Sequence, residues 1–251
     1  MESNLKVYNS KSILKWYNGL AEITCAEKII FENYREFLSA SSLLDIGIGG
    51  GRTTAYLIDK CNKYTGIDYS EEFTNYCAVR FQGTTILKQD ARNLFLFANN
   101  SFDFINFSFN GIDYVDLSGR KKALSEIYRV LKPGGIFFFS THNRNHPTFN
   151  QKPWLNKKNS LLTNIKTFIK LLPFGFRKIQ NKNLEIFTTD YAVINDSAHN
   201  YNLITFYTSP SFLRSQLTDQ NFKEIFFYSA KGEKVPDGKL DDWIFITCVK
   251  N

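Results

Sequence analysis

Four cysteines are scattered along the chain, Cys25, Cys61, Cys77 and Cys248, with no Cys-x-x-Cys pair and no histidine cluster beside them. The sequence therefore offers neither a disulfide framework nor a zinc site, and no metal is expected. No apolar run approaches the roughly 18 residues needed to span a bilayer. The first residues, MESNLKVYNSKSILKWYNG, lack the apolar core of a signal peptide. The expectation is a reduced, cytoplasmic protein. Internal repeats and low-complexity linkers are absent too, and 251 residues suffice for one large core or one domain with an insertion. One sign of charge is missing locally: Asn143 to Lys182 contains no Asp or Glu. Nine basic residues stand there (Arg144, Lys152, Lys157, Lys158, Lys166, Lys170, Arg177, Lys178 and Lys182), so the net +7 becomes −2 for everything else. The basic character belongs to one segment.

What is present in strength is glycine at one place. LLDIGIGGGRTT (43–54) reads as a buried strand ending in a glycine turn, followed by a helix over 52–59. Strand, glycine turn and helix open a nucleotide-binding unit, because glycine lets the backbone approach a ligand. A dinucleotide site would require Gly-x-Gly-x-x-Gly. From Gly47 that register ends on Arg52 and from Gly49 on Thr54, so it fails. The spacing that fits is Asp-x-Gly-x-Gly-x-Gly, Asp45 to Gly51.

Strand and helix patterns then alternate: a strand over 63–68 ending in Asp68, a helix over 70–81 started by Ser70, a strand over 84–90 closing in Asp90, and a strand over 101–109. An amphipathic helix over 117–132 is stopped by Pro133-Gly134-Gly135, and a buried strand follows over 135–141. A helix over 209–220, capped by Ser209 with Pro210 first, precedes two strands joined near Pro236-Asp237-Gly238. Repeated strand–helix units predict an α/β protein with a mostly parallel sheet.

The phrases DIGIGGGRTT, GIDYS, QDARNL, FDFINFSFN and EIYRVLKPGG, in this order, resemble the class I S-adenosylmethionine-dependent methyltransferases. The resemblance covers roughly 26–140 and, more loosely, 205–249. It implies a Rossmann-like, seven-stranded, mostly parallel sheet with a C-terminal antiparallel hairpin, here with a helical insertion after strand 5. A single domain is expected: an N-terminal helical cap (1–40), a cofactor-binding core (41–142), a basic insertion or lid (143–204), and the last helix and hairpin (205–251). The implied cofactor is S-adenosylmethionine, leaving as S-adenosylhomocysteine. By the family pattern Asp68 accepts from the ribose hydroxyls, with Tyr69 packing on the adenine. Asp90 and the Ala91 amide would receive the adenine amino group. Gly47 and Gly49 would face the amino-acid part, and Asp45 would hold the turn or reach the ammonium through water. Arg52 would meet the cofactor carboxylate or lie on a solvated helix face. Phe107, Ser108 and Asn110 would lie beside the sulfonium.

For the other substrate the residues say less. An Asn/Asp-Pro-Pro-Tyr/Phe signature is absent, which weakens a nucleic-acid base amine as acceptor and leaves other nucleic-acid targets open. His142 is the leading base for a hydroxyl acceptor. Tyr17 and Tyr207 follow, with Asp113, Tyr114 and His199 weaker. FSFNGIDY and RVLKPGGIFFFSTHN look like bacterial methyltransferases of surface-polysaccharide (capsular or lipopolysaccharide) synthesis. The acceptor expected is therefore small or glycan-linked and, because nine basic residues of the insertion are uncompensated, anionic, methylated on a sugar hydroxyl or on a phosphate or phosphoramidate substituent. An RNA methyltransferase and a non-catalytic cofactor-binding or membrane-docking protein are the alternatives. Within LLTNIKTFIKLLPFGFRK (161–178), Leu161, Leu162, Ile165, Phe168, Ile169 and Leu172 fall on one helical face. That face would pack a lid onto the sheet edge, or rest peripherally on an anionic inner-membrane face.

Overall fold

The computed structural model describes residues 4, 7–155, 159–236 and 241–251. Three helices come first: α1 (Lys11–Asn18), α2 (Cys25–Asn33) and α3 (Arg35–Ser39). Alternation follows through β1 (Ser42–Ile46), α4 (Arg52–Leu57), β2 (Lys63–Asp68), α5 (Glu71–Arg80), β3 (Thr85–Lys88), β4 (Phe102–Phe107), α6 (Leu117–Val130) and β5 (Leu131–Asn143). Then come α7 (Leu161–Leu171), α8 (Gly175–Gln180), β6 (Ile186–Phe187), β7 (Tyr191–Ile194) and β8 (Thr205–Thr208). The described chain closes with α9 (Pro210–Asp219), β9 (Phe222–Tyr228), β10 (Lys234–Val235) and β11 (Trp243–Lys250).

Helix starts are where the capping chemistry requires them. Thr24 and Glu27 form a reciprocal capping box at α2. The Ser70 hydroxyl accepts from the Phe73 amide at α5, and the Asp116 carboxylate from the Gly119 amide at α6. Ser209 caps α9, with Pro210 at its first position.

The sheet runs β10-β9-β11-β5-β4-β1-β2-β3. Strands β3, β2, β1, β4 and β5 are parallel; β11 and β9 are antiparallel to their neighbours. Alternation along β5 divides the core between the two faces of the sheet. Phe137 and Phe139 join the cluster that takes in Leu124 and Ile127 of α6 and Leu213 and Leu217 of α9. Ile136 and Phe138 join the opposite cluster, with Ile30 and Phe31 of α2 and Leu57 of α4. Full burial of each such side chain contributes about 1.5–3 kcal/mol.

Three expectations are corrected. The sheet has eleven strands among the described residues, not seven. The additions are β10 and an antiparallel β6-β7-β8 group, joined to the end of β5 by parallel pairing of His142 with Tyr207 and Asn143 with Thr208. The insertion is thus helical only in part. Second, the helix expected over 161–178 breaks at Pro173 into α7, a 3-10 turn (Leu172–Phe174) and α8, because proline lacks the amide a continuous helix needs. Third, the apolar stripe of α7 does not pack on the sheet edge. Leu161, Leu162, Ile165, Phe168, Ile169 and Leu172 are exposed, and Leu171 on another face is buried instead. Of the turn expected near 236–238, residues 237 and 238 lie outside the described residues. No helix among the described residues is long and apolar enough to cross a membrane.

Candidate active site

The chain lays β1, β2 and β3 outward in one direction and β4 and β5 in the other, so strand order reverses between β1 and β4. Ligands of open α/β sheets bind beyond the carboxyl ends at such a reversal. A narrow cavity of about 110 Å³ lies there. Eight residues expected at the cofactor line it: Gly47, Gly49, Asp68, Tyr69, Asp90, Ala91, Phe107 and Ser108.

Asp68, at the end of β2, is 4% exposed. Its Oδ2 accepts from the Gly49 amide at 3.0 Å and its Oδ1 from the Ser70 amide at 2.8 Å. Burial pushes its carboxyl up to about 6, against the lowering effect of those amides. Asp90 is already chelated. Arg92 donates to it from the backbone amide (2.8 Å), Nε (3.0 Å) and Nη2 (2.5 Å). Burial would raise its carboxyl, but Arg92 holds it below the usual carboxylate value. Any adenine amino group would share Asp90 with Arg92, a cavity residue that the sequence reading missed.

Asp45 and Arg52 do not line the cavity. Asp45 is fully buried behind the glycine turn and ties three elements together. It accepts from Thr53 Oγ1 (2.7 Å), the Tyr64 hydroxyl (2.7 Å) and Asn106 Nδ2 (2.6 Å). Of its two expected roles the geometry supports holding the turn. Arg52 is not on a solvated helix face. It is 7% exposed, lies 4.6 Å over the Phe109 ring, and makes a bidentate pair with Glu27 at 2.5 and 2.8 Å. Burial would raise the Glu27 carboxyl, but Arg52 and the Thr24 amide hold it below its ordinary value. Glu27 was legible only as the far half of the Thr24 capping box. Its pairing across 25 residues was not.

The turn is roofed by the end of α1. A Cβ on Gly50 would stand 2.5 Å from the Tyr17 carbonyl oxygen, so only glycine permits this approach. Tyr17 lines the cavity beside Tyr8, Tyr69 and Tyr114. The Tyr69 hydroxyl is buried with no hydrogen-bond partner among the described residues. A carboxylate acceptor at Asp68, an orphaned phenol and a Gly47 whose added methyl would meet the Phe107 ring at 3.1 Å all fit a nucleoside held close to the backbone. The residues present therefore suit S-adenosylmethionine.

A second cavity, about 570 Å³, lies between the end of β5, the 148–154 turn, β7 and Trp243. His142 and Tyr207 line it. The three catalytic candidates are thus divided, with Tyr17 at the first cavity and the other two at the second. Burial foremost pushes the Tyr17 hydroxyl up to about 12. Burial and Asp196, to which Tyr207 donates at 2.8 Å, push Tyr207 far above its ordinary value. Neither phenol gives up its proton near neutral pH.

His142 is differently placed. It lies within β5 rather than after it, its Nδ1 2.8 Å from Asp113 Oδ2 and its Nε2 3.2 Å from Asn110 Nδ2. The tautomer that satisfies both contacts donates from Nδ1 and accepts at Nε2. Asp113 is fully buried. It also accepts from the His142 amide (2.7 Å), Thr141 Oγ1 (2.5 Å) and Arg120 Nη1 (2.6 Å). Arg120 neutralises it, so the pair is a carboxylate-oriented imidazole of the kind used as a general base. The two cavities meet at one partition. Phe109 lines the first, and its ring packs 5.0 Å from that of Trp243, which lines the second with His142.

Residues 44–139 match the family model described as "Methyltransferase domain". Malonyl-[acyl-carrier protein] O-methyltransferase of Pectobacterium atrosepticum is 32% identical over 103 residues, 41% of this chain and 39% of that protein. The chain spans about half the length, or less, of this and two similar relatives. Among solved structures, an S-adenosylmethionine-dependent methyltransferase of Thermotoga maritima superposes with a TM-score of 0.58 at 18% identity, covering 100% of this chain and 99% of that one. The 1,6-didemethyltoxoflavin-N1-methyltransferase of Burkholderia thailandensis, solved with bound 1,6-didemethyltoxoflavin and S-adenosylhomocysteine, gives 0.56 at 16% identity, covering 90% of this chain and 78% of that one. Residues 44–139 thus match a methyltransferase domain, and the described chain has the Rossmann-like fold of solved class I S-adenosylmethionine-dependent methyltransferases.

Proposed function

We propose that this chain transfers a methyl group from S-adenosylmethionine to a hydroxyl or phosphate-type oxygen of a small or glycan-linked anionic acceptor, of the kind used in surface-polysaccharide synthesis. The observation that carries the reading is the Asp113–His142 pair, set beside the Phe109–Trp243 partition between the first cavity and the roomier second one. When bound, the cofactor supplies an electrophilic methyl group. The residues do the rest. Asp68 would take the ribose hydroxyls, and the Tyr69 phenol would find its missing partner. At the partition, an acceptor hydroxyl would replace the Asn110 amide at His142 Nε2. His142 would take the proton, and Asp113 would hold the imidazole in place through Nδ1. Alignment of the acceptor oxygen with the methyl group would supply most of the acceleration.

Lys152 at the rim of the second cavity supports an anionic acceptor. Its neighbour Lys178 is less available, being paired with Glu185 and the Asn195 carbonyl. The test is labelled S-adenosylmethionine offered with panels of nucleotide sugars, phosphorylated metabolites and RNA. Label in a phosphorylated sugar, lost in His142→Ala, is expected. Label in RNA with steep salt dependence would replace this reading. Tight S-adenosylhomocysteine binding with no labelled product from any panel would point to a non-catalytic cofactor-binding protein.

A further inference from the structure

Twenty large apolar side chains stand exposed among the described residues, and twelve of them fall between Leu155 and Phe187. Scattered exposed apolar residues are ordinary, but a concentration in one short stretch marks a contact surface. Its centre is α7. At 3.6 residues per turn, Leu161, Ile165, Phe168, Ile169 and Leu172 form a stripe about 100° wide. Leu161 is 77% exposed, Ile169 61% and Leu172 64%. The helix is held to the protein by another face, through buried Leu171, and by Phe168 against Trp154 at 5.4 Å. Phe168 apart, the stripe is turned mostly to solvent, Leu161, Ile169 and Leu172 above all. In α8, Ile179 continues the exposed surface at 76%.

Charge decides what the stripe meets. Lys166 borders it, Lys170 lies on the far side of α7, and Lys182 follows α8, with no acidic residue from 143 to 184. Glu185, the first acid beyond, is already paired with Lys178. A second copy docked stripe to stripe would bring two sets of like charges together, with no local carboxylate to offset them. An apolar helix face bordered by lysines matches a bilayer whose headgroups are negative.

We propose that α7 and the adjoining turns are a membrane-docking element that lies in the surface of an anionic phospholipid bilayer. The helix lies in the headgroup plane and inserts Ile165, Phe168, Ile169 and Leu172 toward the acyl chains. Trp154 lines both the shallow groove along α7 and the second cavity, so the docking surface runs up to the rim of the proposed acceptor site. The docking stands independently of which acceptor is methylated.

The experiment is cosedimentation of the whole protein with phosphatidylcholine vesicles, with and without phosphatidylglycerol. Binding should strengthen at least about tenfold with the anionic lipid and weaken in high salt. The double variant Ile165→Glu/Ile169→Glu should lose that binding. Its circular dichroism and S-adenosylhomocysteine affinity should match the parent, since neither side chain touches the core or the first cavity. Absence of parental binding to anionic vesicles would overturn the proposal, as would full binding by the double variant. A parent dimer that the double variant converts to monomer, measured by light scattering, would assign the stripe to a second copy and overturn it as well.

Discussion

Between pH 7 and pH 5 the affinity for S-adenosylhomocysteine should fall about tenfold, and Asp68 should be the cause. Both of its oxygens accept backbone amides, yet it is 4% exposed, and burial pushes its carboxyl up to about 6. Ribose hydroxyls are donors and bind the ionised form. That form makes up about nine-tenths of the population at pH 7 and about one-tenth at pH 5. The ligand's own α-carboxyl and α-amino groups hold their charges across this window, and no histidine lines the cavity among the described residues. The sign for stability is opposite. A raised folded-state value means that the contribution of Asp68 to stability is present below about 4 and is lost as pH rises through about 6, by up to about 3 kcal/mol in the free protein. Isothermal calorimetry across the pH series would measure the first effect. Asp68→Asn should bind about 1–3 kcal/mol more weakly at pH 7 and show no pH dependence over the window. A flat wild-type profile, or unchanged affinity in the variant, would refute the reasoning.

His142→Ala should lower turnover at saturating cofactor by about 10²–10⁴-fold while leaving S-adenosylhomocysteine affinity unchanged, and near-normal turnover would remove it as base. Arg52→Ala strands the buried Glu27 carboxylate, and thermal or urea unfolding should record a loss of about 3–5 kcal/mol. Gly51→Ala should cost about 1–3 kcal/mol in the same assay, because Gly51 has φ +82° and an added Cβ would stand 2.4 Å from the Phe81 ring. Lys152→Ala should raise the Michaelis constant for the acceptor and leave cofactor affinity alone; an unchanged constant would take Lys152 out of the acceptor site.

The proposed acceptor side was the less legible one. Asp113 and His142 are 29 residues apart and meet only because the 3-10 turn after β4 (Gly111–Asp113) is packed against β5. Phe109 and Trp243 come from still more distant segments. Tyr17 and Tyr207 stood behind His142 as bases, and burial sets them further back by suppressing ionisation of the phenols. The stripe of α7 could be read as a face but not as an inward or outward one. Periodicity sets which residues share a side of a helix, whereas the rest of the fold sets what that side meets.

The cofactor half was written in local sequence. Strand, glycine turn and capped helix are short-range patterns, and the alternation of strands and helices placed Asp68 and Asp90 at carboxyl ends without knowledge of any contact. Local sterics and capping operate over a few residues, so the sequence by itself determines them. Arg52 marks the boundary. Its position on the first turn of α4 was legible, but its partner Glu27 was not, because a buried charge takes whichever counter-charge the tertiary packing brings within reach.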